Sequence, residues 1–131
     1  MVKIIKKKIC VFVGSRANYS SAKPIMNAIK KHQNLELQIV TGFTASLDRF
    51  GKLEELINND GFKPDFTLFN LLEGSDPLIM AKSTGIGLID ASTYLEKLKP
   101  DMVLVIGDRF ELMSIVLAAA YMNIIIVHTM G

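Results

Sequence analysis

The sequence predicts an α/β protein built on a five-stranded parallel sheet in the order 3-2-1-4-5, and three observations carry that prediction. Short apolar runs, such as Ile9-Cys10-Val11-Phe12-Val13 and Met102-Val103-Leu104-Val105-Ile106, alternate with longer stretches of helical spacing. The runs are continuously apolar, as strands covered on both faces are. Turn residues (Gly14, Gly42, Asn59-Asp60-Gly61, Pro100-Asp101, Asn123) separate the segments. Regular β-α alternation implies parallel pairing through right-handed crossovers, and the strand order is the common doubly wound one.

Taken in order, the first strand is expected over residues 8–13 and the first helix over 20–32, with Pro24 in its first turn and Ile25, Ala28 and Ile29 at helical spacing. The second strand covers 35–41, with Leu35, Leu37 and Ile39 on one face. A second helix over 47–58 stops at Asn59-Asp60-Gly61. The third strand spans 65–69, and residues 70–77 form a loop. A long third helix follows over 78–98, where Gly85 and Gly87 each cost about 1 kcal/mol relative to Ala and invite a kink or a close contact. The fourth strand covers 102–106. The fourth helix covers 109–122, where Ala118-Ala119-Ala120 allow close packing on the sheet, and the fifth strand covers 124–128.

The 131 residues suit one domain with a real core. Half are apolar and 21% are charged, which excludes a disordered chain. A net charge of +2 does not argue for nucleic acid, and Lys3, Lys6, Lys7 and Lys8 read as a solvated lead into the first strand. Cys10 is the one cysteine, so an intrachain disulfide is excluded, and no Cys/His cluster has metal-ligand spacing. The lysines before Ile9 resemble a signal peptide, but the apolar run is too short. Residues 112–127 read as a core helix, a turn at Asn123 and a buried strand rather than a membrane span. A soluble cytoplasmic protein with no membrane partner is expected.

Two loops carry the chemistry. Gly14-Ser15-Arg16-Ala17-Asn18-Tyr19-Ser20 follows the first strand and Gly107-Asp108-Arg109-Phe110-Glu111 follows the fourth. The assumed order makes those strands neighbours whose connections leave on opposite faces, where open α/β sheets bind ligands. Gly14 gives a tight turn into a helix start, where Arg16 reads either as a surface arginine beside the turn or as a fork of donors for phosphate oxygens. No G-x-G-x-x-G or Walker sequence is present, which sets aside nicotinamide dehydrogenases and P-loop NTPases. Asp108 reads either as a helix N-cap, with Glu111 completing a capping box, or as an acid/base carboxylate beside a diphosphate-binding Arg109. Tyr19 and Ser20 face the crevice or cap the helix. His32 is expected at the surface near the first helix end, and His128 closes the fifth strand at the ligand edge.

Together these two loops and His128-Thr129-Met130-Gly131 resemble the hydrolysing UDP-N-acetylglucosamine 2-epimerases, above all the bacterial sialic-acid-pathway branch and the epimerase half of the animal bifunctional enzyme. The resemblance covers the whole chain in order and spacing. It implies the N-terminal, Rossmann-like half of a GT-B-type enzyme whose active site lies between two such halves. It implies anti elimination of UDP from UDP-N-acetylglucosamine, then addition of water to give N-acetylmannosamine for sialic-acid-type synthesis, without nicotinamide or any other cofactor. By the same resemblance, Asp108 is the catalytic acid/base, Gly14, Arg16, Ser20 and Arg109 meet the UDP-sugar, and His128 precedes a glycine-rich turn. The full-length enzyme is expected to be a homo-oligomer.

The chain departs from the family in two places. Asn18 stands where many relatives have Asp, and Met130 where many have a glutamate that helps move protons; a residue just past Gly131 is one candidate source of that carboxylate, and the sequence does not say which residue replaces it. A sub-branch acting on UDP-linked diacetamido sugars resembles this variant more closely. The second domain is expected beyond Gly131, so residues 1–131 alone should turn over little or nothing and, with the fifth strand uncovered, should associate. A stand-alone, non-catalytic flavodoxin-like binding module is the other reading. A phosphoacceptor receiver is set aside because Gly14-Ser15 and Phe69-Asn70 replace its acidic residues.

Overall fold

A computed structural model describes residues 5–42, 53–68 and 76–131. The elements run β1 (Lys7–Val13), α1 (Arg16–Lys31), β2 (Leu35–Gly42), α2 (Leu53–Asn59), β3 (Phe66–Leu68), α3 (Pro77–Leu98), β4 (Met102–Ile106), α4 (Leu112–Tyr121) and β5 (Ile125–Thr129). All pairings are parallel and the order is β3-β2-β1-β4-β5, as the alternation predicts.

The pleat divides the core into two layers. Val11, Val13, Ile39, Leu104 and Ile106 face Tyr19, Ala22, Met26 and Ile29 of α1 and Leu53 and Ile57 of α2. Leu35 and Leu37 pack on the same side, the face predicted for β2. Cys10, Phe12, Val40, Val103 and Val105 face Ala91 and Leu95 of α3 and Ile115, Ala118 and Ala119 of α4. Cys10 is fully buried, and burial, with a lesser push from Asp65, raises its thiol pKa to about 12, so it is a packing residue and no nucleophile.

Helix boundaries are where the structure corrects the sequence reading. α1 begins at Arg16, one turn before residue 20, because Ser15 is the N-cap and accepts from the Asn18 N–H at 3.1 Å. Pro24 therefore lies inside the helix rather than in its first turn. It sits on the exposed face with Ser20, where water reaches the carbonyl its missing N–H leaves unpaired. Pro77 opens α3 instead of closing the loop, with Asp76 as N-cap. α3 is unbroken across Gly85 and Gly87. Its buried stripe of Ser83, Gly87, Ala91 and Leu95 forms the close contact, with Ser114 Oγ of α4 donating to Thr84 O at 3.0 Å. Residues 47–52 of the expected second helix, and Phe69, lie outside the described residues.

β5 is an edge strand covered on one face. Ile126 packs against the α3/α4 layer, whereas Ile125 is 58% and Val127 36% exposed, with no described helix over them. None of the described helices is long and apolar enough to cross a membrane.

Tyr19 settles on the core side. It is buried and its hydroxyl donates to Asp60 Oδ2 at 2.6 Å, while Lys23 pairs with the same oxygen at 3.1 Å. This clasp joins α1 to the end of α2. Tyr19 is pushed well above the usual phenol range, by burial first and by Asp60 second. The Tyr19 hydrogen bond, then Lys23, holds the Asp60 carboxyl below its ordinary value. A lowered carboxylate stabilises the fold above its unfolded-state pKa and loses that contribution as pH falls through the folded value. Asp60→Asn should therefore flatten the acid limb of the stability profile, measured as urea midpoints between pH 6 and pH 2.5. An unchanged limb would show that the clasp does not contribute.

Candidate functional site

β1 and β4 are neighbours, and the loops after them meet at the carboxyl edge of the sheet while α1 and α4 leave on opposite faces. The two loops are joined directly. Asn18, in the first turn of α1, accepts from the Gly14 N–H through Oδ1 at 3.0 Å and donates from Nδ2 to the Ile106 carbonyl at 2.8 Å. One amide thus ties the β1 loop to the last residue of β4. A Cβ on Gly14 would lie 3.1 Å from the Phe12 ring, so the turn has little room for a side chain. The Arg16 guanidinium is exposed and unpaired among the described residues. Ser20 Oγ donates to the Arg16 carbonyl at 3.2 Å, back along its own helix.

The second loop turns on Gly107, whose φ of +92° favours glycine. Its N–H donates to Thr129 O at 2.9 Å, and its carbonyl pairs with His128 Nε2 at 2.6 Å. A carbonyl only accepts, so His128 Nε2 carries the hydrogen, and in the neutral ring Nδ1 is the acceptor. Asp108 is exposed and makes no hydrogen bond or ion pair among the described residues. It is not a helix cap: α4 starts at Leu112, and its N-cap, Glu111, makes no capping hydrogen bond through its side chain. The expected capping box is replaced by an ion pair. Arg109 Nε donates to both Glu111 oxygens at 3.1 Å, and Nη2 reaches Oε1 at 2.8 Å.

Two hollows open at this edge. A narrow crevice is lined by Gly14, Ser15, Asn18, Ile106, Arg109 and Glu111. Beside it lies a cavity of about 280 Å³ with Gly107, Asp108, Arg109 and His128 on its wall and Val105, Leu112, Met113, Val116 and Ile126 behind them. Arg109 lines both. Of the residues singled out from sequence, Gly14, Asp108, Arg109 and His128 are gathered here, while Arg16 and Ser20 line neither hollow. The arrangement offers anion-binding donors at a helix start, a solvent-facing carboxylate and imidazole for proton transfer, and an apolar recess. Among the described residues no cluster of His, Cys, Asp or Glu could hold a metal.

Asn18 and Glu111 are the residues whose roles sequence reasoning missed. The signal for Asn18 was its place three residues after Ser15, where a short side chain reaches back to the turn. The signal for Glu111 was its spacing of two from Arg109 within a tight turn.

Residues 27–131 match the sequence profile of the UDP-N-acetylglucosamine 2-epimerases. The chain belongs to this family. Over 126 residues, 96% of the chain, it is 31% identical to a Campylobacter jejuni protein described as GDP/UDP-N,N'-diacetylbacillosamine 2-epimerase (hydrolyzing). It is likewise 31% identical over 127 residues to the UDP-N,N'-diacetylbacillosamine 2-epimerase (hydrolyzing) of Legionella pneumophila, covering 95% of the chain. The chain spans 33% of the length of each. Its fold is that of the Neisseria meningitidis UDP-GlcNAc 2-epimerase solved with UDP-GlcNAc bound: TM-score 0.75 at 22% identity, over 92% of this chain and 31% of that one. Within the epimerase family, the two loops described above stand at the carboxyl edge of this shared fold.

Proposed function

We propose that this chain is the N-terminal part of a hydrolysing UDP-sugar 2-epimerase that converts UDP-N-acetylglucosamine and water into N-acetylmannosamine and UDP, supplying sialic-acid-type synthesis in the cytoplasm. The observation that carries the reading is Asp108, a solvent-facing carboxylate with no partner among the described residues, at the switch point of an epimerase-family fold and adjacent to an arginine that lines the same cavity. The reaction asks for little else. A base removes the proton on sugar C2 while the C1–O bond breaks and its electron pair leaves with UDP. Water then adds at C1 of the resulting glycal, and C2 is reprotonated from the other face. Asp108 serves as acid/base. Gly14, Arg16, Ser20 and Arg109 bind the nucleotide diphosphate, and His128 faces the sugar. A second domain completes the site, the assembled enzyme is a homo-oligomer, and no cofactor takes part.

A second substrate has specific support. The cavity beside Asp108 is mostly apolar, which suits a deoxy sugar with two acetamido groups better than one rich in hydroxyls. The two relatives at 31% identity are described as acting on such a sugar. The deciding experiment offers UDP-N-acetylglucosamine and UDP-N,N'-diacetylbacillosamine to the full-length protein and follows UDP release and inversion at C2. Turnover of the first supports the leading reading, and turnover of the second alone moves the substrate to the diacetamido class. Failure with both would leave the binding-module reading.

A further inference from the structure

We infer that Glu111 is a positioning residue that holds the Arg109 guanidinium at the crevice in the orientation that receives a diphosphate; the inference rests on the UDP-sugar reading proposed above. The two side chains stand in opposite environments: Glu111 is 5% exposed and Arg109 64%. A buried carboxylate needs a partner, and here Arg109 Nε meets both of its oxygens. The guanidinium is planar and rigid, so fastening its Nε and Nη2 edge fixes where the remaining donors point. Arg109 itself lines both the crevice and the larger cavity.

The gain is in ordering. An exposed arginine that must be immobilised on binding weakens affinity by about two- to tenfold, and one ordered beforehand avoids that loss. Glu111 is not the proton-transfer carboxylate expected in place of Met130. It is buried, and both of its oxygens are engaged by Arg109. Its neighbour Asp108 is the exposed one.

The test is a double-mutant cycle on the full-length protein with UDP as the probe. Glu111→Gln keeps the shape and removes the charge. It should raise the Kd for UDP about five- to tenfold with Arg109 in place, yet change it by less than about twofold in an Arg109→Met background. A purely structural Glu111 would cost the same in both backgrounds, and that result overturns the inference, as does an unchanged Kd with Arg109 present. A second measurement needs no variant. Magnetic-resonance relaxation of the Arg109 Nε–H should show a group as ordered as the backbone, in contrast to Arg16, and equal mobility in the two would also overturn it. Wild-type protein that does not bind UDP would bring down the proposed function and this inference together. UDP binding that Arg109→Met weakens and Glu111→Gln does not would bring down the inference alone.

Discussion

Asp108→Asn should lower kcat of the full-length protein about a thousandfold, within the range that removal of a general acid/base produces, while the Kd for UDP stays within about twofold of wild type. The substitution is isosteric and acts on an exposed side chain with no partner among the described residues. The fold should therefore be unaffected, with a stability change inside about 0.5 kcal/mol. On the role proposed for it, what is lost is the group that exchanges a proton with C2 on one face of the sugar, because an amide has no basic lone pair at neutral pH. UDP touches no bond that Asp108 makes or breaks, so binding should survive. The measurement is steady-state release of UDP from the sugar nucleotide, with calorimetric titration of UDP alongside. A kcat within tenfold of wild type would remove Asp108 from the proton path. A parallel loss of kcat and UDP affinity would recast it as a binding or structural residue, which a side chain with no partner among the described residues gives little reason to expect.

Strands were the most legible part of the chain. The expected fourth strand coincides with β4, Met102–Ile106, because a continuous apolar, largely β-branched run between Pro100-Asp101 and Gly107 admits little else. Order followed from alternation, since parallel pairing and right-handed crossovers leave few topologies. Helix starts were less legible, because they depend on which of several polar side chains wins a local competition. Ser20 was read as a possible cap for α1, whereas it is the Ser15 oxygen that meets an N–H. Asp108 and Glu111 had capping-box spacing, but a bidentate arginine offers Glu111 a stronger, charge-assisted partner than a backbone N–H does. Least legible was the bond that joins the loops. Asn18 and Ile106 are 88 residues apart, and nothing local says which distant carbonyl an amide will find. Asp108, Arg109 and His128 could be gathered from sequence because they end neighbouring strands, so topology alone carries them to one edge. Arg16 and Ser20 lie in the first turns of α1 and line neither hollow.

That long-range bond sets up the second large effect. Asn18→Asp should destabilise the fold at pH 7, and the penalty should shrink as pH falls. The amide satisfies an acceptor and a donor at once, taking the Gly14 N–H and giving a hydrogen to the Ile106 carbonyl at 2.8 Å. An ionised carboxylate keeps the first bond and sets an oxygen against the second group's oxygen. The lost donor at a part-buried carbonyl costs about 1–3 kcal/mol. The carboxylate regains about 0.3–1 kcal/mol from its place in the first turn of α1. The first quantity wins, for a net loss of about 1–2 kcal/mol. The sign of the pH dependence follows. Facing a carbonyl favours the protonated acid, so the folded-state pKa of the introduced carboxyl rises above its unfolded value of about 3.9. Below that value the acid is protonated in both states and its O–H replaces the amide donor. As pH rises from about 4 through the folded pKa, the penalty grows to its full size. Urea midpoints of variant and wild type, compared at each pH from 4 to 8, isolate this term because the acid-labile Asp60 clasp is common to both. A difference that does not change with pH, or a variant more stable at pH 7, would show that the β4 carbonyl does not need the Asn18 donor. The same substitution adds a negative charge at the edge proposed to bind diphosphate, so UDP affinity should fall with the same pH dependence, whereas loosening of the loops alone would weaken binding without following that charge.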